Sequence, residues 1–283
     1  MKIGLCSAGG GACARPRVLL KVAEHAEAAG LESLWVSEHL VAADPRSPPS
    51  QLDPTFPMFD PVVALAYAAA RTTTLRLGTG VIVLPLRNPL ILAKELASLD
   101  VLSGGRLLVG VGVGYVHQEF RALGVPFEDR GQRTDEYLAA MRAIWTQDTP
   151  AFDGRLFSFG GVQAHPRPVQ QPHPPIVIGG WSAPALRRAA RIGNGWYGWG
   201  LDHDETAAVI GSLREAVRSA ERDPALGELE ITITPSGHVD LRAAQRYATI
   251  GVHRLNVQAP GGASEGDVLR LIDDLGTELV GHT

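Results

Sequence analysis

The stretch LRLGTGVIVLPLRNPLILAKELASLDVLSGGRLLVGVG, residues 75–112, carries the fold in miniature. Leu75 to Val83 is β-branched and aliphatic and reads as a strand. Pro89 suits the first turn of a helix, and the spacing predicts a helix from Pro89 to Leu102. Gly104-Gly105 interrupts that pattern, and Arg106 to Gly112 reads as the next strand. A strand reached through a helix comes back to the same end, so the two strands run parallel.

The same beat extends both ways. Upstream, strands are predicted at Ile3 to Ser7 and Ser33 to Ser37, with helices opened by Pro16 and Pro61. Downstream, strands fall at Ile176 to Ile178, Gly195 to Trp199, Leu229 to Thr234 and Arg254 to Val257. Helices are predicted at Thr134 to Trp145 after a long loop, at Pro184 to Ile192, around Val209, Leu213 and Val217, at Leu241 to Ile250, and at Glu265 to Leu279. Phe152 to Phe159 reads as a small hairpin turning at Asp153-Gly154. Eight alternating units favour a closed (β/α)8 TIM barrel, an α/β fold forming a single domain over residues 1–283 with that hairpin inserted. An open dinucleotide-binding sheet would carry G-x-G-x-x-G after its first strand. Counting from Gly9, Ala14 stands where the last glycine belongs.

Composition narrows the function. The 283 residues carry a net charge of −4, which lacks the basic face nucleic acid requires. The absence of a long apolar run predicts no membrane span, and the start Met1-Lys2-Ile3 has no signal-peptide pattern. Cys6 and Cys13 match no zinc or redox spacing, so two idle thiols in a reducing cytoplasm are expected, with a small molecule as the partner.

In a barrel the reactive groups gather at the carboxyl ends of the strands. Those positions hold Ser7, Ser37-Glu38-His39, Thr79-Gly80-Val81, Gly112 to Tyr115, Gly179-Gly180 and Gly198-Trp199. A histidine beside a carboxylate, as at Glu38-His39, can move protons near neutrality; the alternative is a histidine bonded into its loop. Gly179-Gly180-Trp181-Ser182 leads into a helix, where backbone amides favour a phosphate; a tight turn is the alternative. The alternating glycines Gly110, Gly112 and Gly114 leave one sheet face bare, either for a flat ligand or for close packing. His117, Glu119, His203 and Asp204 form no recognised ligand spacing, so no metal is expected.

Taken in order, these segments resemble the bacterial luciferase-like monooxygenase superfamily, especially its branch using the deazaflavin coenzyme F420. The resemblance rests on Ala28 to His39, Leu77 to Val81, Arg87-Asn88-Pro89, Gly104 to Gly114, Glu119-Phe120, Leu123-Gly124, Arg130-Gly131 and Pro174 to Gly180. It implies that His39 is the catalytic histidine and Glu38 an acidic neighbour touching the ring edge or orienting the imidazole. It also implies a non-prolyl cis peptide at Gly80-Val81, a phosphate cradle at Gly179 and Gly180, and ring or ribityl contacts from Tyr115 and Gln118. Ser7, Thr79, Gly112, Trp181 and Gly198 complete the expected cofactor shell. The implied reaction is hydride transfer between reduced F420 and a small organic substrate, in a homodimer. Reduced FMN in a two-component monooxygenase is the alternative, and a non-catalytic cofactor-binding barrel is the alternative of another class. Tyr115 stands where F420-dependent sugar-phosphate dehydrogenases carry a carboxylate, and the segment Pro235 to His238 is shorter than in many relatives.

Overall fold

In a computed structural model describing residues 1–50 and 52–283, hydrogen-bonded parallel pairing runs right round a closed barrel. The omitted position, Gln51, falls within the proline-rich stretch between the second strand and the second helix. The elements are β1 (Lys2–Cys6), α1 (Pro16–Ala28), β2 (Ser33–Val36), α2 (Pro61–Ala69), β3 (Arg76–Thr79), β4 (Ile82–Val83), α3 (Pro89–Leu102) and β5 (Leu107–Gly112). Then follow α4 (His117–Ala122), α5 (Arg130–Thr146), the hairpin β6 (Phe152–Asp153) and β7 (Ser158–Phe159), β8 (Ile176–Gly179) and α6 (Ala183–Ile192). Last come β9 (Gly195–Leu201), α7 (His203–Ser219), β10 (Glu230–Pro235), α8 (Leu241–Thr249), β11 (Arg254–Gln258) and α9 (Glu265–Glu278). The order β3-β2-β1-β11-β10-β9-β8-β5 closes through β3 against β5. β3 and β4 are one barrel strand interrupted at Gly80-Val81, where the peptide is cis.

Local chemistry sets the helix starts. Pro61 and Pro89 occupy first-turn positions, and the carboxylate of Asp60 and the amide oxygen of Asn88 accept the free amides behind them. Asp202 and Ser264 make capping boxes with Glu205 and Asp267. Gly30, at φ +80°, closes α1 in the left-handed region that glycine adopts without strain.

Strand alternation separates two interiors. Leu34, Val36, Leu77, Val109, Val111 and Ile178 face outward into the helix layer and form the main core. Trp35, Leu108, Val177 and Tyr197 face inward as a separate cluster, with the Trp35 and Tyr197 ring centroids 5.5 Å apart. At the amino ends of the strands, fully buried Arg254 is held by Glu32 at 2.7 and 2.8 Å, by Glu230, and by Thr232 Oγ1 at 3.0 Å. The barrel is thus filled in the middle and sealed by ions below.

Three expectations need correction. The hairpin connects through Gly154 to Phe157, whose ends are joined by a 3.0 Å bond from Gly154 N to Phe157 O. Asp153 stays in the strand because the Glu136 carboxylate accepts the Leu156 and Phe157 amides and pulls the turn onto α5. The short helix α4 lies in a segment read as loop, and α5 begins at Arg130 rather than Thr134. The third strand is two pieces rather than one.

Candidate active site

The pairs 38–39, 80–81 and 179–180 converge at the carboxyl end of the barrel. Gly80 N donates to Val36 O at 2.8 Å, which fixes the cis turn beside the end of β2. The Val81 side chain then fills the space in front of three glycines. A Cβ would lie 2.9 Å from Val81 at Gly112, 3.3 Å at Gly110 and 3.1 Å at Gly179. At Gly110 a Cβ would meet Thr79 O first, at 1.9 Å, so the bare face of β5 is occupied by Val81 and the Thr79 carbonyl, and Gly112 is needed for packing whether or not a ligand also reaches it. Thr79 is likewise structural. Its hydroxyl donates to Gly110 O at 2.7 Å and accepts from Gly110 N at 2.8 Å, and the residue is fully buried. Gly198 faces the outer layer, where a Cβ would lie 2.6 Å from Trp196 and 2.8 Å from Ile233.

Beyond β2 the side chains of Glu38 and His39 part company. Glu38 accepts from Val83 N at 2.6 Å and from Arg87 Nε at 2.9 Å, and Arg87 also pairs with Asp60. Burial pushes the Glu38 carboxyl above its usual range, with Arg87 and the Val83 amide pulling the other way. Both carboxylates in turn raise Arg87 against the effect of its own burial. Glu38 is thus a brace between β2, β4 and α3's approach, and it does not orient the imidazole.

That task falls to Glu119 on α4, a residue the sequence reading gave no role beside His39. His39 Nδ1 lies 3.2 Å from Glu119 Oε2. Glu119 Oε1 accepts Leu40 N at 2.6 Å, so one buried carboxylate fixes both the ring and the backbone that follows it. With Nδ1–H donated to Glu119, the neutral ring keeps its lone pair on Nε2, which has no partner among the described residues. A polar buried glutamate needs a partner, but in sequence Glu119 differs in nothing from a solvated helix residue.

At this end of the barrel stand large rings that water still reaches. Tyr115, its ring edge-on to His39 with centroids 5.9 Å apart, is 53% exposed; Trp181 is 51% and Trp199 52% exposed. Gly180, at φ +100°, donates its amide to Tyr197 O at 3.2 Å and accepts from Trp196 Nε1 at 2.8 Å. The Gly179-Gly180 backbone is thus spoken for by β9. The amides of Trp181 and Ser182, ahead of α6, have no partner among the described residues, and the first turn of that helix holds no acid. Gln118 Nε2 donates to Ser47 Oγ at 2.8 Å, which ties α4 to the loop after β2, while its Oε1 is buried and unpartnered. Ser7, at φ +57°, places Oγ 3.5 Å from Ser37 Oγ. Cys6 and Cys13 are both free and buried, and burial pushes the Cys13 thiol up to about 11. Among the described residues no three His, Cys, Asp or Glu side chains could hold a metal, and no helix is long and apolar enough to cross a membrane.

Fold and site together define a (β/α)8 enzyme barrel with a histidine–carboxylate pair under an aromatic rim. The family model described as luciferase-like monooxygenase matches residues 3–268, and the chain belongs to that family of oxidoreductases and monooxygenases. Over 226 residues it is 31% identical to an F420-dependent glucose-6-phosphate dehydrogenase of Kineococcus radiotolerans, covering 77% of this chain and 63% of that protein. Over 113 residues it is 40% identical to an FMNH(2)-dependent dimethylsulfone monooxygenase of Pseudomonas putida, covering 39% of this chain and 31% of that one. The structure of an F420-dependent secondary alcohol dehydrogenase superposes with a TM-score of 0.81 at 19% identity, covering 100% of this chain and 99% of that one.

Proposed function

We propose that this protein is an oxidoreductase that transfers hydride between reduced coenzyme F420 and a small organic substrate. One observation carries the reading: His39, oriented by buried Glu119, has no partner at Nε2 among the described residues and lies at the carboxyl end of the barrel, the end that also bears the half-exposed rings of Tyr115, Trp181 and Trp199. Those rings suit a planar ring system, and the partnerless amides of Trp181 and Ser182 suit an anionic tail. Bound there, the deazaflavin supplies the hydride chemistry. The chain's own residues supply position and a proton. His39 Nε2 gives a proton to, or takes one from, the substrate oxygen, a role worth about 10²–10⁴ in rate. Glu119 keeps Nδ1 protonated and stabilises the imidazolium when it forms. Tyr115 and the loop held by Gln118 limit water around the ring.

Reduced FMN is the second reading, supported by the stretch of high identity to an FMNH(2)-dependent relative. The longer match to the F420-dependent relative favours the deazaflavin. A homodimer through α2 and α3 fits the exposed Val63, Tyr67, Ile91 and Leu102 on those helices, and two free buried thiols fit a reducing cytoplasm. Titration of the purified protein with each cofactor, followed by fluorescence quenching, is expected to give tight binding of F420 and weak binding of FMN. Binding of neither overturns the proposal.

A further inference from the structure

On the outer face of the barrel a groove of about 740 Å³ runs between α6 and α7. Ala183 lines it from α6, and Ser212, Ala216 and Ser219 line it from α7, all too short to fill the space between the helices. Its charged groups are sorted by wall. Arg187, Arg188 and Arg191 belong to α6, with Arg187 and Arg191 one turn apart, while Glu215 on α7 and Glu221 just beyond its end stand opposite. Arg218, which lies between those two glutamates in sequence, does not line the groove.

The chain satisfies these groups unevenly. Asp135 on α5 holds buried Arg188 at 2.7 Å and lies 3.5 Å from Arg191. Arg187, Glu215 and Glu221 are exposed, and among the described residues they have no hydrogen-bond or ion-pair partner. No ion pair joins α6 to α7 among the described residues, so the groove is positive along one side and negative along the other. A uniformly charged occupant gains from one wall what it loses to the other. A surface with the same two stripes in reverse order gains from both, and a second copy of this chain carries that surface. Each helix follows a strand of a parallel barrel, so both descend from the carboxyl to the amino end. Arg187 and Arg191 therefore come down one wall in the order in which Glu215 and Glu221 come down the other. A two-fold axis running along the groove exchanges its two sides and keeps height. It lays α6 of one protomer over α7 of its partner, whereas an axis across the groove would set arginine against arginine.

We propose that this groove is a self-complementary interface through which two copies of the chain associate about a two-fold axis along it, with Arg187 and Arg191 facing the partner subunit's Glu215 and the partner subunit's Glu221. The symmetry makes every pair occur twice. The contact is separate from the apolar face of α2 and α3, and it does not depend on the oxidoreductase reading. Because its charges are exposed, salt screens it.

The mass of the full chain is measured by light scattering in about 0.02 M and about 0.5 M salt. The expected particle holds at least two chains of 30.1 kDa at low salt and halves in mass at high salt. Arg187→Glu with Arg191→Glu makes the groove acidic throughout, and Glu215→Arg with Glu221→Arg makes it basic throughout. Each pair is expected to halve the mass at low salt, and an equimolar mixture of the two proteins is expected to regain the native mass. The chain carrying all four substitutions, whose stripes are merely exchanged, is expected to keep it. Where a pair fails to fold, Arg187→Glu and Glu215→Arg alone carry the same test. A native mass that survives high salt or either pair overturns the proposal and gives the groove to another occupant, as does a mixture that stays at half mass.

Discussion

The two ends of the barrel are built from the same strands and treat polar groups in opposite ways. At the amino end every charge that enters is matched. Arg254 is enclosed by Glu32 and Glu230, Asp100 accepts Val169 N, Gln170 N and Gln170 Nε2 at 2.7–3.0 Å, and Glu27 accepts three successive amides from Thr73 to Leu75. At the carboxyl end, the amides of Trp181 and Ser182 and the Nε2 of His39 have no partners among the described residues, and large rings face water. Matched charges make one end a foundation. Unsatisfied groups held on rigid strand ends make the other a place for a ligand.

That contrast can be broken by substitution. Arg254→Ala empties a fully buried position, leaves half-buried Glu32 without its ion partner and leaves Glu230 with Lys2 alone, and a loss of about 2–4 kcal/mol is expected in urea unfolding, with the cofactor affinity of the folded protein unchanged. A loss of binding without a loss of stability would reverse the assignment of the two ends. His39→Ala is expected to behave oppositely, keeping cofactor affinity while turnover falls by about 10²–10⁴, with about 1–2 kcal/mol of stability lost because Glu119 Oε2 loses its partner. Unchanged turnover on a true substrate removes His39 from the chemistry.

Gly112→Ala sharpens the comparison on the upper half of the barrel. Its methyl group would press on Val81 at 2.9 Å, and a destabilisation of about 1–3 kcal/mol is expected. If instead stability holds and cofactor affinity drops, the glycine serves a ligand after all. The smallest effect is expected at Glu27. Burial is the largest single effect and raises its carboxyl, but the amides of Thr74, Leu75 and Thr73 together outweigh it and bring it down to about 2 from 4.5. A depressed acid contributes stability that is complete above pH 4.5 and is lost as the pH falls toward about 2. Glu27→Gln should cost about 1 kcal/mol at neutral pH after screening, and flatten that acid limb in pH-dependent denaturation curves.

Much of the site was legible because barrel strands announce their ends. Reading outward from residues 75–112 located Ser7, His39, Gly80-Val81 and the 179–182 turn, all of which meet at one face. What could not be read was the direction of each side chain. Glu38 and His39 are adjacent, so pairing them looked natural, yet successive residues beyond a strand point apart, and Glu38 left for Arg87. The true partner of His39 lies 80 residues away on a helix that the sequence presented as a loop. Gly112, Thr79 and Gly198 were read as ligand contacts because glycine and threonine at a strand end serve packing and binding equally well. Only the position of Val81, Gly110 and Trp196 separates those uses.

The amino-acid order by itself determined the alternation of strands and helices and the helix starts at Pro61 and Pro89, and it pointed to the carboxyl end of the barrel for the proposed site. Each follows from local periodicity or from a backbone preference within a few residues. Tertiary structure alone decided that Glu119 rather than Glu38 serves His39 and that Val81 fills the glycine face. Those outcomes depend on which distant side chains are brought within about 3 Å of one another, and no local rule carries that distance.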